Sequence, residues 1–393
     1  MSAERARETR RASPLFRSFW LAGFAAGEHL PGLRNIAGEL DVDEYRARVE
    51  TDYATASEAG IACVHESIGW RRVARCGEFD FETVTLRADA ARRAGLQVVW
   101  TLCHDGWPDD VDIGSVEFVD RFRELATAVA RLLTPYANAE APIYTPINEI
   151  SFLAWARAET GLVAPLRSDL RNRSYALKQT LVRASLAACD AIRAIDRRAR
   201  FLHIEPATSV VAGDARARRA LLFRAFDMLT GTLEPELGGD PVYVDAVGIH
   251  CQRGAHPWRG TPDAASSGIR EMPPIAVHRL LEDVYARYQR PIVVAESSPG
   301  PAGRVAWLRE IGEEIGKALE REVPIVATCL SRVVERPAWE DPRYWRGRRL
   351  WDVLLHTSHH APRVRDSAYE QALRDVRSRI DPLIATSVSR SSP

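Results

Sequence analysis

The chain has 393 residues, 46% of them hydrophobic, and its 53 basic residues balance 53 acidic ones. That length holds two or three average domains or one large domain with long loops, and the neutral balance leaves no footprint for nucleic acid or an anionic membrane. The six cysteines (Cys63, Cys76, Cys103, Cys189, Cys251 and Cys329) show no C-x-x-C spacing. They read as buried reduced thiols, which suits a reducing compartment. The Arg- and Glu-rich start has no apolar core, so no signal peptide is expected. No apolar run approaches the roughly 20 residues of a membrane span. A cytoplasmic chain without membrane or nucleic-acid partners is the expectation.

In chain order, residues 1–14 form a polar arm, and Phe19–Ala26 is the first strand, ending in Gly27-Glu28-His29. A helix over Asp43–Ala59 follows, with Tyr45, Val49, Tyr53 and Ala56 at helical spacing. Strand two is Ile61–Val64, ending His65-Glu66-Ser67, and the next helix covers Thr83–Ala94. Strand three, Leu96–Leu102, runs into Cys103-His104-Asp105, and a long helix spans Val116–Leu133. Strand four lies in Ala141–Ile147 and delivers Asn148-Glu149; an aromatic stretch with Phe152 and Trp155 leads to a helix over Ser174–Ile195. Strand five is Arg200–Ile204, ending Glu205-Pro206, with helix Arg218–Leu229 behind it. Strand six, Val242–Ile249, ends His250-Cys251-Gln252, and helix Ile275–Tyr288 follows a long loop. Strand seven, Ile292–Ala295, ends in Glu296 and leads to helix Arg304–Arg321; strand eight is Val323–Leu330. A last helix over Ser367–Ile380 precedes a Ser-rich end.

Eight near-continuous apolar strands alternating with amphipathic helices indicate a parallel sheet covered by helices. Eight such units favour an α/β fold of one closed (β/α)8 TIM barrel with extended βα loops, over the alternative of an open doubly wound sheet. No G-x-G-x-x-G follows strand one, which argues against a dinucleotide site. The expected division is an arm at 1–14, one barrel domain at 15–382 and a disordered tail at 383–393.

Polar residues gather at the strand ends: Glu28 and His29, His65 and Glu66, His104 and Asp105, Asn148 and Glu149, Glu205, His250 and Gln252, and Glu296. Alone, each is an ordinary loop residue. Together, on a barrel, they are expected to face one mouth, where mutual repulsion and desolvation make such a cluster costly. Two facing carboxylates suit glycoside cleavage: one donates a proton to the leaving oxygen, the other attacks the anomeric carbon, at about 5–5.5 Å in the retaining geometry. Asn148 is placed to hold a sugar hydroxyl, and Trp107, Trp155, Trp258 and Trp339 offer flat faces for a sugar ring. His65, His104, His203 and His250 could instead bind a metal, but their spacing is poor and no H-E-x-x-H occurs. No metal and no cofactor is expected.

These islands resemble clan A glycoside hydrolases, closest in pattern to glycoside hydrolase family 1, the β-glucosidase type. Ser67-Ile-Gly-Trp70-Arg-Arg-Val73 is similar to S-I-S-W-S-R-I, and Thr101-Leu-Cys-His104-Asp-Gly-Trp-Pro108 to T-L-Y-H-W-D-L-P. Thr145-Pro-Ile-Asn148-Glu149 resembles T-x-N-E-P, Asp245-Ala-Val-Gly-Ile-His250 resembles D-F-I-G-I-N, and Pro291-Ile-Val-Val-Ala-Glu296 resembles P-I-Y-I-T-E-N-G. The resemblance implies Glu149 as acid/base and Glu296 as nucleophile. It implies sugar-binding roles for His104 and Asn148, a platform at Trp339, and a looser match of Glu28 to a strand-one glutamine. The implied partner is a small glycoside or oligosaccharide.

The chain also departs from that pattern. His65 stands where the family has an Arg that supports the nucleophile, and His250-Cys251-Gln252 stands where N-Y-Y would be. Ile150 replaces the proline after the acid/base. His65 or His250, if protonated, is the expected substitute partner for Glu296, and His65, His250 and Gln252 join the expected substrate-binding set. The alternatives are a sugar-binding relative without turnover and a metal-dependent barrel hydrolase.

Overall fold

A computed structural model describes residues 15–24, 42–75, 77–104, 106–137, 140–160, 173–207, 223–252, 276–297, 303–331 and 364–390, with short pieces between 333 and 352. Eight parallel strands close into a barrel: β1 Trp20–Gly23, β2 Cys63–Ser67, β3 Gln97–Cys103, β4 Ile143–Ile147, β5 Arg200–Pro206, β6 Ala246–Gln252, β7 Ile292–Ser297 and β8 Ile325–Ser331. Each pairs with its neighbours in sequence, and β8 closes on β1 with Cys329 opposite Leu21. The open-sheet alternative is thereby set aside.

Among the described residues, helices alternate with the strands: α1 Val42–Glu58, α2 Glu82–Arg93, α3 Val116–Leu133, α4 Ser174–Ile195, α5 at 223–229, α6 Val277–Tyr288, α7 Arg304–Glu320 and α8 Ser367–Arg390. The local causes are legible in α3. Ser115 caps it, its hydroxyl accepting the Phe118 N–H at 3.2 Å. Phe118, Phe122, Leu125, Val129 and Leu133 then form one buried stripe. Each fully buried Phe in that stripe contributes roughly 1.5–3 kcal/mol.

The strands divide the core in two. Leu21, Cys63, Val99, Ile143, Leu202, Ile204, Ala246, Val293, Ala295, Ala327 and Cys329 fill the barrel interior. Their neighbours along the strands, among them Val64, Trp100, Tyr144 and Val294, pack against the helices. Residues 15–17 lie at the N-terminal end of the barrel, where Phe16 joins the interior core and Gln97 donates to the Leu15 carbonyl at 3.0 Å. The opposite, C-terminal end is left for a site.

Strand starts shift by a few residues from the sequence expectation, most at β6, which begins at Ala246 because Pro241–Tyr243 forms a 3-10 turn capped by Asp240. The last helix continues to Arg390 rather than stopping at Ile380, with Pro382 inside it. Residues 383–390 are therefore helical rather than a loose tail: Leu383 and Ile384 pack against the core. Cys63, Cys103, Cys189, Cys251 and Cys329 are free thiols, all buried, as their spacing suggested. No described helix is long and apolar enough to cross a membrane.

Candidate active site

The site begins at the end of β4. Asn148 donates its N–H to the Cys103 carbonyl at 2.9 Å, and Glu149 donates its own to the Ile204 carbonyl of β5 at 2.9 Å. Glu149 has left-handed backbone angles, φ 50° and ψ 59°. For a glutamate that conformation costs roughly 1–3 kcal/mol and persists only where its surroundings enforce it. Here the enforcement comes from Ile204 on one side and from a short helix, Ile150–Trp155, on the other, with Leu153 donating to the Glu149 carbonyl at 2.9 Å.

Glu149 is 8% exposed, and its Oε1 is hydrogen-bonded to Nδ1 of His250 on β6. The Asn148 amide lies 3.5 Å from Nε2 of His104. His65, on β2, is buried and bonds Thr101 Oγ1 through Nε2 at 2.6 Å. Burial first, then the charges of His104 and His250, lower its pKa from 6.5 to about 3. His65 is thus neutral throughout the physiological range. The carboxylate that His250 engages is Glu149.

Glu296 lies in β7, in register with Cys251 of β6 and Leu330 of β8. The side chains of Glu296 and Gln252 lie outside the described residues, as do Glu28, Trp258 and Trp339. His65, His104, Asn148, Glu149 and His250 are brought together at the C-terminal ends of the strands.

Not every polar strand-end residue faces that mouth. Glu66 turns outward beside inward His65, accepting from Tyr53 OH at 2.7 Å and from Arg87 at 2.8 Å. Arg87 also donates to the Ser67 carbonyl and lies over the Trp100 ring. His203 sits between inward Leu202 and Ile204, and its Nε2 is 3.0 Å from the Tyr243 carbonyl. The strand period of two sends successive side chains to opposite faces, so a run such as His65-Glu66 divides between mouth and helix layer. The four-histidine metal reading loses His203 for that reason, and no group of three or more metal-ligand side chains occurs among the described residues. Trp107, expected as a platform, is buried edge-on against Phe118, and Trp155 packs on Phe152.

Glu205 also faces outward, 1% exposed, with both carboxyl oxygens accepting the Ser151 N–H at 3.2 and 3.1 Å. Burial raises its pKa to about 7, against the lowering charge of buried Lys178; the charge of Glu149 raises it further. Sequence reasoning missed Lys178 and Ser151. The signal for Lys178 was its place in the inward face Lys178, Leu181, Val182 and Ser185 of α4; Ser151 carries none, because its backbone makes the bond.

The closed (β/α)8 barrel thus carries a carboxylate, an amide and three imidazoles at its C-terminal mouth. Among solved structures the chain is similar to the family 1 β-glucosidase from Thermotoga maritima, at 15% identity, covering 92% of this chain and 97% of that one with a TM-score of 0.68. It is similar to the β-glucosidase from Thermotoga maritima in complex with cyclophellitol (15%, 93% and 99%, TM-score 0.68). It is also similar to the AHE enzyme from Alicyclobacillus herbarius (16%, 94% and 100%, TM-score 0.68). At such identity the likeness is one of fold. No family model and no curated protein matches the sequence.

Proposed function

We propose that the chain is a retaining glycoside hydrolase acting on a β-linked small glycoside or oligosaccharide, with Glu149 as acid/base and Glu296 as nucleophile. The observation that carries the reading is Glu149 itself: a buried glutamate, held in a left-handed turn at the end of β4, hydrogen-bonded to His250 and adjacent to Asn148. The likeness in fold to β-glucosidases adds support.

In the first step Glu149 gives its proton to the glycosidic oxygen as the bond from that oxygen to C1 breaks. A Glu296 oxygen attacks C1 and forms a glycosyl ester. In the second, the Glu149 carboxylate takes a proton from water, the water oxygen attacks C1, and the ester bond breaks to release Glu296 as carboxylate. Asn148 and His104 hold sugar hydroxyls, and Glu28, Gln252 and Trp339 complete the sugar site in this reading.

A second reading, a sugar-binding relative with little turnover, is favoured by His65, which stands where the family 1 pattern has an Arg and whose burial favours the neutral form. One experiment separates the two. The intact protein is incubated with 2-deoxy-2-fluoro glycosides bearing good leaving groups, and its mass is measured. A mass gain mapping to Glu296 is the expected result. Saturable sugar binding with no adduct on any glycone would transfer the assignment to the second reading.

A further inference from the structure

We infer that Glu205 is a positioning residue for the acid/base: from the outer face of β5 it holds the Glu149–Ser151 turn that aims Glu149 into the mouth. The inference rests on the glycosidase reading of Glu149.

The argument begins with the backbone. Glu149 is one of few described non-glycine residues with positive φ, and a left-handed glutamate relaxes unless both flanks are tied. Its own N–H is tied to Ile204, and two residues on the Ser151 N–H is tied to Glu205, the next residue of β5. Two consecutive residues of β5 thus grip both sides of the turn, one through its carbonyl and one through its side chain.

The environment is built for this use. Glu205 is buried on the face of β5 opposite that of inward Ile204. Burial there disfavours the ionised carboxyl and raises its pKa to about 7, with the charge of buried Lys178 of α4 opposing that rise. An apolar residue would fill this position at lower cost if packing were all it did. Nothing in the proposed chemistry uses Glu205 directly, which leaves the turn as its function.

The test exploits a feature of acid catalysis. A glycoside with a strongly acidic leaving group needs no proton from the enzyme, whereas an alkyl glycoside does. Misplacing Glu149 therefore lowers kcat/KM for the alkyl substrate alone, whereas general loss of structure lowers both. Wild type, Glu205→Leu and Glu205→Gln are compared on 2,4-dinitrophenyl and alkyl β-glycosides of the sugar that wild type accepts. Hydrogen exchange of the 149–151 amides is followed in parallel.

For Glu205→Leu, a fall of about 10- to 100-fold on the alkyl substrate is expected, from loss of aligned proton donation, with under about threefold on the activated one. Exchange at Ser151 is expected to quicken by at least about tenfold once its acceptor is gone. Glu205→Gln keeps an oxygen acceptor and should restore most of the alkyl-substrate activity. If the Leu variant fails to fold, Glu205→Asp, which retracts the acceptor by one methylene, carries the same comparison.

Equal losses on both substrates, or unaltered exchange at Ser151, would overturn the inference. Wild type that turns over no glycoside, with exchange still responding as expected, would overturn the glycosidase reading and leave the grip on the turn established.

Discussion

Nδ1 of His250 on β6 is hydrogen-bonded to Oε1 of Glu149, so the histidine that stands in place of the family's asparagine is the direct partner of the expected acid/base. The bond crosses one strand, since β5 lies between β4 and β6 in the barrel. It orients the Glu149 carboxyl and gives it a polar neighbour.

Removing that neighbour should weaken proton transfer more than sugar binding. For His250→Leu, kcat/KM on an alkyl β-glycoside is expected to fall about 100-fold, within the range of a disabled general acid. His250→Asn retains a hydrogen-bonding side chain and should stay within about tenfold of wild type on the same scale. Steady-state kinetics on the two variants check this; equal loss in both would show that the imidazole itself is required.

The outward network of Glu66, Arg87 and Tyr53 makes a stability prediction. Arg87→Met leaves Glu66 buried without its cation and should destabilise by about 3–5 kcal/mol. The double variant Arg87→Met with Glu66→Gln should recover part of that loss, because no uncompensated charge remains. Urea unfolding midpoints at neutral pH measure both.

Gly312 of α7 marks a close helix contact. A Cβ there would lie 2.6 Å from Cγ1 and 3.1 Å from Cγ2 of Val376 on α8. Gly312→Ala should therefore cost about 1–3 kcal/mol by overpacking, despite alanine's better helix propensity. Combining it with Val376→Ala should be less harmful than adding the two single effects, and thermal unfolding of the four proteins tests that coupling.

Acid should weaken the fold through its buried histidines. Burial lowers His203 from 6.5 to about 4, and His65 goes to about 3. The unfolded chain takes up a proton at each as pH drops through 6.5, while the folded chain does not until near 4 or 3. Stability is thus full above about 6.5 and declines as pH falls below it, by about 1.4 kcal/mol per pH unit for each histidine. His203→Gln, which can still donate to the Tyr243 carbonyl, should remove one histidine's share of that slope. Denaturant midpoints at about pH 7.5, 6 and 5 give the answer.

Much of the architecture was legible in the chain. Apolar runs such as Val98–Leu102 and Ile292–Ala295 and stripes such as Phe118 to Leu133 repeat at strand and helix periods, and eight alternations specify a barrel whose strand ends share one mouth. Glu149 at the end of β4 was legible for the same reason: with Asn148 it forms the first polar pair after a run of buried residues. Which strand-end residues serve the mouth was decided by the fold. His65 and Glu66 are adjacent in sequence, yet the pleat sends one to Thr101 inside the barrel and the other to Arg87 outside it. The last helix outran its expected end because Leu383 and Ile384 found a core to cover. The grip of Glu205 on Ser151 joins residues 54 apart through a backbone N–H, a group every residue but proline carries, so only the closure of β4 beside β5 could reveal it.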